Sequence, residues 1–360
     1  MSKFLFSALA LSAVGATVSA STNDWDKLND EINTLVSAPA LQGSGINMNA
    51  LLRVNGSFAD EDDFGNASGT FGGELDDVDI NMRGEVDEFG WHVSADIDGN
   101  TGSSLQLQDA YAWWNFSEFI SAKFGQFKPK VTHSNSVDPE NQVMIDRSVL
   151  GSAFDIWDIG VGASGAYEDV EWALNIHNGA DGDANDSLYI FRVEYDLGNG
   201  ASEYEGAYAG GDDLNATVGL AYINDNTTGT ADASMFAVDF AGTYNQIGFG
   251  VEVASIDDGL AATVNPDWGA ANSGAGVGLS ADSTYWGVTA SYMVNEEWEV
   301  ALRLQNLDDA ADTQLITAGA NWFQSGHNAK WQFNVTDVSS DAAASEGTLL
   351  QAGLVLGSSR

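Results

Sequence analysis

Apolar and polar residues alternate along most of this chain, in segments of about ten residues that recur from Asn47 to near the C-terminus. The segment WEVALRLQN at 298–306 is typical. Alternation with a period of two places apolar side chains on one face of a β-strand and polar side chains on the other. The pattern therefore predicts an all-β chain. It predicts sixteen strands, with cores at 47–58, 71–83, 89–98, 104–115, 118–127, 155–165, 169–178, 188–197, 214–224, 233–243, 246–256, 284–293, 297–306, 313–323, 328–337 and 347–356.

Alternation alone does not distinguish a soluble sandwich, whose apolar face is the core, from a membrane barrel, whose apolar face meets lipid and whose polar face meets a wet lumen. Three features favour the barrel. Segments of about ten residues have the length that a tilted membrane strand needs. Aromatic residues such as Trp91, Tyr195, Trp298 and Trp322 lie near segment ends, as in interfacial girdles. The strands also continue through the whole chain without a linker.

The composition agrees with a barrel. Hydrophobic residues make up 44% of the chain, but they are dispersed, and no run of about 18 apolar residues follows the first twenty. There are 40 Gly, 4 Pro and no Cys, so turns are plentiful, few backbone donors are lost, and no disulfide can stabilise the fold. We expect residues 41–360 to form a transmembrane antiparallel β-barrel of about 16 strands in the outer membrane of a Gram-negative bacterium.

The first forty residues differ from the rest. Lys3, an apolar stretch and the small-residue site Val18-Ser19-Ala20 predict a signal peptide over 1–20. Residues 21–40 predict a short periplasmic amphipathic helix. Its apolar residues recur at heptad spacing, and the helix either packs on the barrel rim or forms a small coiled coil that joins subunits. Those residues are Trp25, Leu28, Ile32 and Leu35.

The chain is strongly acidic, with 53 Asp and Glu against 12 Lys and Arg and a formal charge of −41. This balance argues against nucleic acid as a partner. Most acids fall in predicted loops, where they suit solvated surfaces, high salt or divalent cations. Two acidic segments also contain the oxygen ligands that Ca²⁺ prefers, although neither has the spacing of an EF-hand. Their candidate ligands are Asp60, Asp62, Asp63, Asp181, Asp183 and Asp186.

The sequence offers little for catalysis. Its four histidines are His92, His133, His177 and His327, and none lies in a Gly-x-Ser-x-Gly elbow. Separated histidines without cysteine also disfavour a zinc site. We therefore expect no enzymatic activity and no cofactor other than Ca²⁺ in the acidic segments.

Four motifs in a fixed order are more specific than the periodicity. They are LQLQDAYAWWNFSEFISAKFGQFKPK at 105–130, VMIDRSVLGSAFDIWDIGVGASG at 143–165, HNGADGD at 177–183 and ITAGANWFQSGHNAKWQFNVT at 316–336. Their order resembles that of the phosphate-selective porin O and P family, over about two-thirds of the chain. The resemblance implies a 16-stranded barrel, a homotrimer, a lumen whose basic residues favour anions, and a constriction loop after GQFKP.

The basic residues are few but clustered. We expect six of them to line the pore or its constriction: Lys123, Lys128, Lys130, Arg147, Arg53 and Arg83. Acids on the same polar faces, such as Asp77 and Glu194, could instead set up a transverse field with little net preference. The sequence thus predicts passive diffusion of ions and small hydrophilic solutes, with lipid and lipopolysaccharide as surroundings. A non-selective or cation-preferring pore, and a plugged structural or adhesive barrel, remain alternatives.

Overall fold

The computed structural model of the protein describes residues 46–59, 70–98, 104–117, 119–155, 157–179, 187–208, 210–225, 233–257, 279, 282–341 and 346–358. The predicted signal peptide at 1–20 and the predicted helix at 21–40 lie outside these residues, as do the acidic segments 60–63 and 181–186. Those four expectations stay predictions.

Sixteen strands in the described residues form a closed antiparallel barrel, in which each strand pairs with its neighbours in the chain and the last pairs with the first. The predicted number of strands is confirmed, and the predicted cores agree with the observed strands to within a few residues. The strands are β1 (Ile46–Ala59), β2 (Thr70–Val86), β3 (Phe89–Asp98), β4 (Ser104–Asn115), β5 (Ile120–Phe127), β6 (Asp158–Tyr167), β7 (Val170–His177), β8 (Leu188–Leu197), β9 (Asn215–Asp225), β10 (Ala233–Tyr244), β11 (Ile247–Ile256), β12 (Ser283–Met293), β13 (Trp298–Asn306), β14 (Gln314–Phe323), β15 (Ala329–Ser339) and β16 (Gly347–Gly357).

The alternation in sequence becomes the two faces of the barrel. On β13, Val300 and Leu302 are 45% and 46% exposed on the outer face, whereas Glu299 and Arg303 on the inner face are 0% and 2% exposed. Closure gives every strand two hydrogen-bonded neighbours and leaves no open edge, which is the condition for crossing lipid with strands. No helix among the described residues is long and apolar enough to span a membrane.

The connections differ at the two mouths of the barrel. At one, called here the short-turn mouth, tight turns such as 87–88, 168–169 and 245–246 join the strands. Asn245 and Gln246 both have positive φ, at 49° and 66°, as the two central residues of a type I′ hairpin turn require. The segment after β5 leaves the barrel wall at the opposite mouth, because β4 and β5 are joined at the short-turn mouth by residues 116–119.

This segment, residues 128–155, folds inside the barrel and is called here the inner loop. It contains α1 (His133–Ser136), a 3-10 turn (Pro139–Asn141) and α2 (Val149–Ala153). Ser148 caps α2, since its hydroxyl accepts a hydrogen bond from Gly151 N at 3.0 Å. The resemblance had implied a loop folded into the barrel at this point, and the structure has one.

The inner loop is held by a small apolar core within the lumen. Leu150 and Phe154 are 0% and 1% exposed, and they belong to one cluster with inward-facing residues of β8 to β15 such as Ile190, Ile223 and Met235. Inner positions on this side therefore face the inner loop, whereas the alternation alone had predicted a polar face that meets a wet lumen. The periodicity shows which residues point inward, but it does not show what covers them.

Candidate functional site

The inner loop leaves one side of the lumen open, as a cavity of about 500 Å³ between the loop and inward-facing residues of β2 to β9. This space is called here the main cavity. Nine carboxylates line it, against three lysines: Asp77, Asp79, Asp109, Asp138, Asp155, Glu171, Glu194, Asp196 and Glu203, with Lys123, Lys128 and Lys130. The lining is therefore strongly acidic.

Two of the predicted cations meet at one carboxylate of the inner loop. Lys128 Nζ lies 2.8 Å from Asp155 Oδ1, and Arg147 Nε lies 3.0 Å from Asp155 Oδ2. Arg147 Nη1 also donates to the carbonyl of Ser134 at 2.8 Å and to that of Val137. Its side chain is 4% exposed, so Arg147 holds the fold of the inner loop and does not present its charge to the cavity.

The charges of this cluster stabilise each other. Burial alone would raise the pKa of Asp155, but the nearby Arg147 and Lys128 outweigh it and lower the pKa from 3.8 to about 2. Burial lowers the pKa of Lys128, and Asp155 partly offsets that effect. Asp155 is thus ionised at neutral pH and neutralises much of the charge of its two partners.

We expect the free energy of unfolding to depend on pH through the Asp155 carboxylate of this cluster. The folded pKa of Asp155 is depressed, so its contribution to stability is complete above its unfolded value of 3.8 and is lost as the pH falls through about 2. Asp155→Asn should lower the free energy of unfolding by on the order of 2 kcal/mol at pH 7, and its difference from wild type should shrink below about pH 4. Unfolding in detergent from pH 7 to pH 2 measures this.

The control for that experiment is Asp341→Asn, at an exposed acid just beyond β15. It should change the stability by less than about 0.5 kcal/mol at any pH. A pH-independent loss of stability in Asp155→Asn would show that the charge of Asp155 is not what holds the inner loop.

A second chain of charges ties the start of the inner loop to the wall. Lys130 Nζ contacts Glu194 Oε2, and Glu194 Oε1 accepts from Arg192 Nη2 at 2.8 Å. Arg192 also makes two hydrogen bonds to Asp239, at 2.7 and 2.9 Å, and donates to the carbonyl of Val131. Arg192 is 1% exposed and the Glu194 side chain 7%, so this part of the network is buried under the loop, whereas the Lys130 side chain is 41% exposed.

The other predicted cations lie apart from these two clusters. Arg53 on β1 bonds Asp76 and Asp77, both at 2.6 Å, and donates to the carbonyl of Ile145 at 2.5 Å, so it too anchors the inner loop. Lys123 Nζ lies 4.5 Å from the centre of the Tyr111 ring and lines the main cavity.

Arg83 is the most exposed of the six. It lies 4.8 Å above the Trp113 ring and 3.3 Å from Glu85, with its side chain 57% exposed. Five of the six predicted residues thus line the cavity or anchor the inner loop, and Arg83 lies apart from both. Lys123, Lys128 and Lys130 line the main cavity, while Arg147 and Arg53 bond the backbone of the inner loop.

The anchors on the far wall were not identified as such from the sequence. Glu252 on β11 accepts from Ser148 Oγ at 2.8 Å and from Ser134 Oγ, and Gln305 on β13 accepts from Val149 N at 2.7 Å. Arg303 donates to the carbonyl of Asp146 at 2.7 Å. A polar residue on an inward-facing position is the only local signal for such a role, and it does not distinguish an anchor from a solvated side chain.

The electrostatic balance of the site follows from these contacts. Arg53, Arg147 and Arg192 bond three of the nine lining carboxylates, and two of these arginines also bond Asp76 and Asp239, so acids outnumber cations around the main cavity. His133 also lines the cavity, and burial lowers its pKa, which leaves it neutral at pH 7. The surplus of fixed negative charge makes this space more favourable for cations than for anions.

The sites that the sequence suggested for Ca²⁺ remain untested, since they fall outside the described residues. Within the described ranges, no group of three or more His, Asp or Glu side chains is placed to hold a metal ion.

No family model matches the chain, and no curated protein matches it in sequence. Solved structures do match. An anion-selective porin from Comamonas acidovorans aligns with a TM-score of 0.62 and 14% identity, covering 87% of this chain and 99% of that one. OmpF of Salmonella typhi, in complex with daunomycin, aligns with a TM-score of 0.58 and 11% identity over 88% of this chain and 99% of that one.

A mutant of the Rh. blastica porin aligns with a TM-score of 0.54 and 14% identity, over 87% of this chain and 100% of that one. At these identities the likeness concerns the fold. It extends over nearly the whole of each porin, and it includes the closed barrel of sixteen antiparallel strands. This chain therefore has the porin fold.

Proposed function

We propose that this protein is a passive diffusion channel of a Gram-negative outer membrane, open to ions and small hydrophilic solutes and preferring cations. The observation that carries the proposal is the main cavity, an acid-lined space that the inner loop leaves open inside a closed barrel. An apolar outer face suits lipid, and a polar, charged interior suits hydrated solutes.

The preference for cations follows from the local balance of charge. Lys128 and Lys130 line the cavity, but Asp155 and Glu194 hold them at contact distance. The Debye length is about 8 Å at physiological ionic strength, so paired charges and distant acids act weakly, while the unbalanced charge of the lining acts strongly. This favours cation preference, one of the alternatives from the sequence, over the anion preference that the resemblance implied.

The oligomeric state is also a proposal, and it rests on the sequence. A homotrimer joined partly through residues 21–40, surrounded by lipid and lipopolysaccharide, is what the heptad spacing and the resemblance suggest. The mass of the protein in native micelles tests the trimer.

The decisive experiment for the proposed function is single-channel recording in a planar bilayer, with the reversal potential measured under a KCl gradient. We expect stepwise current and a reversal potential of the sign given by K⁺ permeability. A reversal potential of the opposite sign would show an anion pore. Absence of current from folded protein would show a plugged barrel and overturn the proposal.

A further inference from the structure

One connection at the short-turn mouth is much longer than the others. The remaining turns there run from two residues, as at 168–169, to five, at 324–328, whereas 198–214 between β8 and β9 has 17. This segment is called here the insertion. A simple hairpin needs only two to five residues to join antiparallel strands, so most of the insertion is not needed for closure of the barrel.

The insertion folds into the lumen and meets the inner loop. Glu205 N donates to the carbonyl of Asn141 at 3.0 Å, and Glu205 Oε2 accepts from Val143 N at 3.1 Å. On the wall side, Arg303 Nη2 donates to Glu205 Oε1 at 2.8 Å. One carboxylate therefore ties the insertion to both the inner loop and β13.

The backbone next to Glu205 lies directly against the barrel wall. Gly206 has φ of +96°, and a Cβ there would fall 2.5 Å from Glu299 Oε1. A Cβ on Gly248 would fall 2.2 Å from the carbonyl carbon of Gly206. Ala207 N donates to Glu299 Oε1 at 2.6 Å. Two glycines thus permit a close approach that other residues would prevent.

Aromatic residues fix the insertion to the turn between β14 and β15. The rings of Tyr204 and His327 stack, with centres 4.5 Å apart and planes 9° apart. Tyr208 lies 4.3 Å from Phe323 and 4.8 Å from His327, measured between ring centres. Aromatic contacts of this kind stabilise beyond the burial of apolar area, so the insertion is a packed element.

The insertion also lines the route through the lumen. Residues 199–203 line the main cavity, across from the start of the inner loop. Glu203 and Asp138 line the main cavity and also a second cavity of about 370 Å³, which is bounded by Gly326 and Ser358 at the short-turn mouth. These two acids, one from each loop, therefore lie where the two cavities adjoin.

We propose that the insertion is a second constriction element, which narrows the pore from the short-turn mouth together with the inner loop, and that Asp138 and Glu203 determine selectivity at the junction of the two cavities. This inference rests on the proposed channel function and names the residues that set its selectivity. Two carboxylates at a narrow point with low-dielectric walls concentrate the local field, so they act on each passing ion more than exposed acids do.

The test uses single-channel recording of the full chain. In a first variant, residues 199–213 are replaced by an Asn-Gly turn. Its conductance should rise roughly twofold or more, because the narrowest cross-section limits the current. A second variant, Asp138→Asn with Glu203→Gln, changes two charges without altering the backbone, and its reversal potential should move toward that of an unselective pore.

The matched control is Glu296→Gln, at an exposed acid in the short turn 294–297 of the same mouth. It should leave both conductance and reversal potential unchanged. If the first variant does not fold, the reversal potential of the second variant still tests the proposal. Unchanged reversal potential in the second variant, with a conducting wild type, overturns this inference alone. A wild type that carries no current overturns the proposed function, and this inference with it.

Discussion

Replacing Arg192 with methionine is expected to lower the free energy of unfolding by roughly 3–5 kcal/mol, because it leaves buried carboxylates without their partner. Arg192 is 1% exposed and bonds both Asp239 and Glu194. It also donates to the carbonyl of Val131, at the start of the inner loop. The variant should therefore release this end of the loop as well as destabilise the barrel, and its single-channel current should become larger or noisier.

Two further variants test whether the loss of stability comes from the buried charges. Arg83→Met makes the same substitution at an exposed arginine on the inner face of β2, and it should cost less than about 0.5 kcal/mol. Adding Asp239→Asn and Glu194→Gln to Arg192→Met removes the stranded charges and should recover part of the loss. Equal unfolding midpoints for Arg192→Met and Arg83→Met would show that the buried network does not hold the inner loop.

The largest effect on selectivity is expected from three lining acids. Asp109→Asn, Glu171→Gln and Asp196→Asn together remove a third of the carboxylates around the main cavity, and none of the three bonds Lys128 or Lys130. The surplus of acids over cations around the main cavity would then be much smaller. The K⁺ to Cl⁻ permeability ratio should fall several-fold, measured as a shift of the reversal potential under a KCl gradient.

The control for this triple variant removes the same number of negative charges at exposed positions. Glu88, Glu296 and Glu297 are exposed in turns at the short-turn mouth, and their replacement by Gln should shift the reversal potential little, because solvent and salt screen them. The reciprocal variant, with Lys123, Lys128 and Lys130 changed to Gln, should strengthen cation preference. If the lysine variant shifts the potential strongly and the acid variant does not, the lysines govern selectivity and the anion chemistry implied by the resemblance is retained.

The strands could be read from the sequence because their signal is local. Each strand carries its own alternation, and residues 188–197 and 89–98 were predicted with the bounds that the structure shows. An inner face and an outer face follow from that alternation without knowledge of any distant residue. The number of strands then follows by counting. The inner loop was anticipated from its resemblance to known porin sequences, and the alternation gives no sign of it.

The candidate site was only partly predictable, since its behaviour depends on pairs of residues far apart in sequence. Lys130 was identified as a cation of the constriction, but its partner Glu194 lies 64 positions away. Arg53 was assigned to the lumen, and it reaches the carbonyl of Ile145, 92 positions away. The insertion was missed altogether, because no periodicity distinguishes a segment that folds inward from one that remains in solvent.

Local patterns in the chain were enough to predict about sixteen strands, the residues that point inward and the excess of acids over bases. Which charges neutralise each other, and how far two loops fill the lumen, depends on contacts that form only in the folded barrel. The physical reason is that alternation is fixed by neighbouring residues, whereas the net field in a pore depends on distances between charges that closure of the barrel brings together.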